Sequence, residues 1–251
     1  LRVTRPLHNS TLVQEISLRR GSRRVEFKTT VDWQERHKLL KVAFPVTLHA
    51  NEALHEIQFG HLARPNHRSR PFDEDRFEVA NQKWSALVES ERGFAVLNDC
   101  KYGVNVLHNS INLTLLKSAM APDMEADRGM QTFTYAVVPW TGSFAESPVV
   151  IEGYRLNAPV LTVPGTAESA SLFSVNKPNI VIEAVKPAED GSSDVIVRLY
   201  EAKRTATVCT LETALPVASA VATDMLETSV VNTLSCEDGS IDLAFEPFEI
   251  K

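Results

Sequence analysis

The chain has 251 residues, 43% hydrophobic and 23% charged, with a formal net charge of −6, 13 prolines and 10 glycines. That length permits one large β domain or two modest ones whose cores need neither disulfides nor structural metal, which excludes the small stapled scaffolds. The longest apolar runs fall well short of the roughly 20 residues that cross a bilayer, so no membrane span is expected.

In chain order, the first segment, residues 1–6, is basic and polar instead of the apolar core of a secretory signal, and with no initiator methionine it reads as a cut from a longer polypeptide. Val25, Phe27, Thr29, Val31 and Trp33 alternate with Glu26, Lys28, Thr30 and Asp32, the period-2 pattern of a half-buried strand. Residues 39–48 form a nearly continuous apolar run in which Pro45 points to an edge strand or a bulge. Further strands are predicted at 56–59, 77–79, 94–97, 111–116, 131–138, 149–154, 180–185, 195–201, 205–211 and 241–245, and short helices near 82–89 and 167–173. Strands separated by Gly, Pro, Asn and Asp, without βαβ alternation, define an all-β, antiparallel sandwich class. Pro159, Pro164, Gly165 and a run of small residues place a domain boundary near residue 165, giving domains 1–165 and 166–251.

The cysteines, Cys100, Cys209 and Cys236, are odd in number and form no CxxC, so neither a disulfide framework nor a zinc knuckle is expected, and a reducing, cytoplasmic setting fits. Residues 1–70 hold 13 Lys and Arg against 6 Asp and Glu. The tetrad Arg19, Arg20, Arg23 and Arg24 lacks the interleaved aromatics of single-strand binders, so it is read as a solvated turn or a surface docking on something acidic, with no nucleic-acid partner.

Motifs for chemistry are few. His8, His37, His49, His55, His61, His67 and His108 form no HExxH, HxH or HxD, so no metal ligands and no bound cofactor are expected from this chain. GxSxG, GxGxxG and GxxxxGK[ST] are absent, and no cysteine has a reactive context. The carboxylates near loops, Asp32, Glu35, Asp73, Glu74, Asp75, Asp123, Glu125 and Asp127, allow many pairings for glycoside chemistry, which needs two groups roughly 5–10 Å apart in a cleft. Asn98-Asp99-Cys100-Lys101-Tyr102-Gly103 offers a carboxylate, an ammonium and a phenol suited to a sugar. The same string also fits a turn in which Asn98 and Asp99 bond their own backbone.

Several long strings, in order, resemble the C-terminal β region of the α-mannosidases of glycoside hydrolase family 38, in particular the cytosolic and bacterial branch: VDWQERHKLLKVAFPV (31–46), EIQFG (56–60), RPNH (64–67), RFEVANQKW (76–84), GFAVLNDCKYG (93–103), LLKSAMAPDMEADRG (115–129), FTYAVVPW (133–140), NIVIEAVKPAED (179–190), DVIVRLYEA (194–202) and FEPFEIK (245–251). The resemblance implies a large galactose-mutarotase-like supersandwich followed by a smaller antiparallel β-sandwich. It further implies a retaining enzyme that hydrolyses terminal α-linked mannose from oligosaccharides with an aspartate nucleophile, an acid/base carboxylate and a zinc ion. In the family, the zinc ligands, an HxD pair among them, and the nucleophile come from an N-terminal α/β barrel and three-helix bundle. The matched region therefore implies a fragment inactive alone that buttresses this missing catalytic domain and lines one side of its cleft, with the basic surface of residues 1–70 docking there. Asp99, Lys101, Tyr102 and Lys117 are the expected cleft-rim residues, and no catalytic residue is expected in this chain. Lys117 stands where relatives commonly carry Arg, and a Lys point charge does not reproduce a two-pronged guanidinium contact; Gln82 stands where many carry His. The competing classes are a non-catalytic carbohydrate-binding or structural module and, by fold analogy alone, an aldose epimerase, which needs a His and a carboxylate converging in a cleft. A binding module needs an exposed aromatic platform; of Trp33, Trp84, Trp140 and Tyr102, the three tryptophans lie in strand-like patterns and are expected in the core.

Overall fold

Alternating apolar and polar residues produce strands throughout the computed structural model, which describes residues 1–158, 160–166 and 169–251. The chain divides into two units, Leu1–Pro159 and Val160–Lys251; the composition shift places the boundary near residue 165.

The first unit contains β1 (Arg2–Leu7), β2 (Ser10–Leu18), β3 (Val25–Trp33), β4 (Leu39–Pro45), β5 (Glu52–Ile57), β6 (Gly60–Pro65), α1 (Pro71–Asp75), β7 (Val79–Ala80), β8 (Trp84–Glu89), β9 (Arg92–Asn98), β10 (Gly103–Leu107), β11 (Ser110–Lys117), β12 (Gly129–Thr141) and α2 (Val149–Asn157). They form an eight-stranded sheet, β1-β2-β3-β12-β9-β8-β5-β6, and a four-stranded sheet, β4-β11-β10-β7. Val31, Trp33, Leu87, Val96, Phe133 and Tyr135 of the first sheet share one buried cluster with Val104, Ile111, Leu113 and Leu116 of the second. Burial of this apolar area is the main driving term for closing the two sheets on each other. Phe27 stacks on Tyr135 with ring centroids 5.0 Å apart, and Phe44 meets Tyr135 edge-on at 6.1 Å. As Pro45 suggests, β4 is an edge strand, with Pro45 opposite Ser110.

The second unit contains β13 (Phe173–Val175), β14 (Ile180–Pro187), β15 (Val195–Glu201), β16 (Thr207–Thr213), β17 (Ala220–Thr223), β18 (Val230–Leu234) and β19 (Ser240–Phe245). They form three small antiparallel sheets, β13-β16-β19, β14-β15 and β17-β18. Ile180, Leu199, Cys209, Leu211, Ile241, Leu243 and Phe245 form its core. Glu201 is fully buried there. Its Oε1 accepts from Asn179 Nδ2 (2.9 Å) and the Lys203 amide (2.7 Å), and its Oε2 from the Thr205 and Phe248 amides (3.1 Å each). Four donors on one carboxylate compensate its loss of water and tie the β15–β16 turn to the C-terminal segment.

The strands β1, β2, β6, β10, β17 and β18 have no counterpart in the sequence reading, and two elements differ from it in type. The run 149–154, expected as a strand, lies in α2, because Val149, Val150 and Gly153 share the buried face that packs on β9 and β8 while Ile151 is exposed. Tertiary packing overrides the β propensity of Val-Val-Ile here. The helix expected at 82–89 is β8, whose Trp84, Ser85, Ala86 and Leu87 are all buried; a strand covered on both faces shows no alternation to identify it. The helix expected at 167–173 begins on Ala167 and Glu168, outside the described residues, and its last residue, Phe173, opens β13. The Arg tetrad is also not uniformly solvated, since Arg24 pairs with Glu26 (2.5 Å) and Glu152 (2.8 Å) and so ties the β2–β3 turn to α2. Trp33, Trp84 and Trp140 are buried, as expected.

Two packing details carry testable consequences. Gly93 lies opposite Trp140 in the β9–β12 register, and a Cβ there would fall 2.0 Å from the indole. Gly93→Ala is expected to lower stability by about 1–3 kcal/mol in urea unfolding, through displacement of the buried ring. Glu35 accepts from Ser10 Oγ (2.9 Å), the Asn9 amide (2.8 Å) and Lys38 Nζ (2.8 Å). The Lys38 hydrogen bond foremost, opposed by burial and aided by Ser10 and Asn9, holds its carboxyl down at about 2 from 4.5. Its stabilisation is thus fully present above pH 4.5 and lost as pH falls through about 2. The stability difference between the native chain and Glu35→Gln, followed by acid titration of circular dichroism, should shrink across that interval.

Candidate functional site: a concavity beside the β9–β10 loop

The loop from Asn98 to Gly103 leaves the central sheet where β9 ends and β10 begins the second sheet. Asn98 has no exposed surface and all its polar groups are engaged. Its amide donates to Lys83 O (3.0 Å) and its Nδ2 to Gln82 O (2.8 Å), while its Oδ1 accepts from the Lys101 amide (2.7 Å) and its carbonyl from Asn157 Nδ2 (3.0 Å). Of the turn read from the sequence, the Asn98 part is present, its Oδ1 capping the loop backbone at Lys101, whereas Asp99 bonds β12 and Gly103 has no positive φ; Asn98 is also the junction of β8, β9 and α2.

The loop faces a concavity of about 570 Å³ bordered by Glu56, Arg64, Asn81, Gln82, Lys83 and Tyr102. Tyr102 is 57% exposed on its rim, and its carbonyl accepts from the Asn81 amide at 2.9 Å. Glu56 is buried and accepts from Lys83 Nζ (3.0 Å) and the Lys83 amide (2.6 Å), while the same ammonium sits 4.4 Å from the Tyr154 ring centroid. Asn81 donates to Ser85 Oγ (2.9 Å), which meets His55 Nδ1 (2.9 Å). Burial first, then the Arg64 charge, pushes His55 down to about 3, so the imidazole is neutral across the working range. Asn81 Oδ1 is buried without a hydrogen-bond partner. The bordering carboxylate is committed to Lys83, so the wall is suited to binding and orienting hydroxyls with a phenol, amides and a guanidinium.

Of the sequence-derived rim residues, the loop brings Asp99, Lys101 and Tyr102 together, and only Tyr102 borders the concavity. Asp99 Oδ2 accepts from the Thr134 amide (2.8 Å), and Lys101 Nζ lies 4.6 Å from the Phe133 ring centroid, so both are turned onto β12. The Cys100 thiol is pushed up to about 11, by burial first and then by Asp99. Lys117 is exposed at the end of β11, where its amide donates to Asp127 Oδ2 (2.7 Å), and no described contact joins it to the other three. The loop carboxylates expected near a cleft include several with structural duties: Glu35 as above, Asp73 bound by Arg70, and Asp127. Sequence reasoning missed Glu56, Arg64, Asn81 and Asn157; the only local signal was the polar triplet Asn81-Gln82-Lys83 beside a strand. Among the described residues no three His, Cys, Asp or Glu side chains are grouped to hold a metal, and no helix is long and apolar enough to cross a membrane.

Comparison with known proteins places this architecture. The family described as "Glycosyl hydrolases family 38 C-terminal domain" matches residues 1–125, and "Glycosyl hydrolases family 38 C-terminal beta sandwich domain" matches residues 179–251. The chain belongs to glycoside hydrolase family 38, as part of its C-terminal β region. Within that family it is similar to α-mannosidases: it is 42% identical over 97% of its length to "Alpha-mannosidase 2C1" of Mus musculus and 43% identical over 96% to that of Homo sapiens. It spans about a quarter (24%) of each of these relatives. An α-mannosidase structure from Enterococcus faecalis V583 shares the fold, with a TM-score of 0.77 over 96% of this chain and 28% of that one, at 20% identity.

Removing the Asn98 side chain leaves the Lys101 amide and the Gln82 carbonyl without their buried partner. Asn98→Ala is expected to cost about 1–3 kcal/mol and to raise hydrogen exchange at Lys101 before global unfolding.

Proposed function

We propose that this chain is the C-terminal part of a retaining α-mannosidase that removes terminal α-linked mannose from oligosaccharides, and that it buttresses the catalytic domain and lines one side of the substrate cleft. The observation that carries this reading is identity above 40% along nearly the whole chain to proteins named as α-mannosidases, of which it spans a quarter. The β9–β10 loop forms the rim. Tyr102 contacts the sugar, Asp99 and Lys101 hold the loop on β12, and Lys117 contributes from the end of β11. The basic surface of residues 1–70 docks on the catalytic domain. In this reading the enzyme is cytoplasmic, in keeping with the free thiols of Cys100, Cys209 and Cys236.

The family implies zinc. The described residues do not fit such a centre, since no three ligand-type side chains converge. This reading assigns zinc and the nucleophile to the rest of the polypeptide and gives this chain a positioning role.

The full polypeptide is expected to hydrolyse an aryl α-mannoside while the 251-residue chain alone shows no turnover; turnover by the chain alone would overturn the division of labour. Alanine substitution of Asp99, Lys101, Tyr102 and Lys117 in the full polypeptide, scored by kcat/KM, tests the rim. A change under about twofold, roughly 0.4 kcal/mol, would make them ordinary surface residues.

A further inference from the structure

A second, smaller concavity lies between β6, the α1 segment and β10. It has a volume of about 30 Å³, and Arg64, His67, Arg68, Arg76, Phe77 and Asn105 are among its lining residues. That volume admits a water or two or the head of a small ligand, not a sugar ring. Its mouth carries the exposed residues Arg68, Arg76 and Phe77, the last 65% accessible.

The charge balance of this lining is one-sided. Among the described residues, Asp73 is the one carboxylate bordering it. Asp73 is already neutralised from outside by Arg70, whose amide (3.0 Å) and Nε (3.3 Å) donate to Oδ2 and whose Nη2 (3.2 Å) donates to Oδ1. Among the described residues Arg64, Arg68 and Arg76 make no ion pair. Arg64 donates to Ala80 O at 3.0 Å, and the Arg76 guanidinium lies 5.1 Å from the Phe72 ring centroid. Glu74 and Asp75 are exposed on α1 and do not border the concavity. Burial first and then repulsion from Arg76 lower the Arg64 pKa, the sign of a cation lacking a counter-charge. His67 Nδ1 is buried without a hydrogen-bond partner. Three guanidinium groups, an unpartnered imidazole nitrogen and an amide around a small hollow are complementary to a tetrahedral oxyanion, whose several oxygens accept forked N–H pairs.

We propose that this concavity is a phosphoryl-binding site, in which Arg64, Arg68, Arg76 and His67 hold the oxygens of a free phosphate or of a phosphate monoester whose organic part lies toward Phe77. Arg64 also borders the larger concavity, whereas Arg68, Arg76 and His67 border only this one, so the proposal does not rest on the larger concavity holding a sugar.

Isothermal calorimetry of the chain at low ionic strength tests it, with inorganic phosphate in one arm and phenyl phosphate in the other. Saturable 1:1 binding of inorganic phosphate at about 1 mM or tighter is expected. Arg64→Gln and Arg76→Gln should each weaken it at least about tenfold, while Arg20→Gln, in the β2–β3 turn, should leave it unchanged. Tighter binding of phenyl phosphate that is lost in Phe77→Ala assigns the site to an ester; equal affinity in the two arms assigns it to free phosphate. Because Arg64 also holds the Ala80 carbonyl, circular dichroism checks its variant, and the exposed Arg68→Gln gives an independent reading. In the unsubstituted chain, phosphate should shift the His67 ring resonances. Absence of saturable binding below about 10 mM, or equal binding by all variants, overturns the proposal and leaves a basic patch that docks an acidic protein surface.

Discussion

The geometry of the candidate site depends on one buried amide. Asn98 is sealed from solvent at the end of β9, and its four polar groups reach three parts of the first unit: Lys83 O and Gln82 O before β8, the Lys101 amide in the loop, and Asn157 Nδ2 at the end of α2. A buried amide with every group satisfied is directional in a way that apolar packing is not, so it specifies one arrangement of β8, the 99–102 loop and the end of α2. Tyr102 lies on the rim of the concavity, one residue beyond the Lys101 amide that Asn98 holds, and its own carbonyl accepts from the Asn81 amide.

The same device recurs in the second unit, where Glu201 collects four N–H donors from Asn179, Lys203, Thr205 and Phe248. In both units the apolar clusters provide the bulk of the stabilisation, and a single satisfied polar side chain decides how the connecting segments leave the sheets. Where such a group meets opposite charge, as Glu35 does at Lys38, its contribution depends on pH.

Glu56 is tied to Lys83, Asp99 Oδ2 to the Thr134 amide and Asp127 to the Lys117 amide, so each of these carboxylates holds local backbone or side-chain geometry. A wall of phenol, amide and guanidinium groups on a packed sandwich offers hydrogen-bond partners to a polyol.

Sequence alone determined the all-β class, most of the long strands, the burial of the three tryptophans and the family, because alternation and long in-register strings are local properties of the chain; Pro45 left an edge or a bulge open, and the sheet order made β4 an edge strand. The loop at 98–103 was legible as a turn with sugar-suited groups. It was not legible that Asp99 and Lys101 face β12, that Lys117 stands apart, or that Glu56, Arg64 and Asn81 complete the wall, since these depend on which strands become neighbours. Tertiary structure likewise decided that Val149 and Val150 belong to a helix and Trp84 to Leu87 to a strand. In each case burial on a particular surface outweighed a propensity of a few tenths of a kcal/mol per residue, roughly, and no local pattern reports which surface that will be.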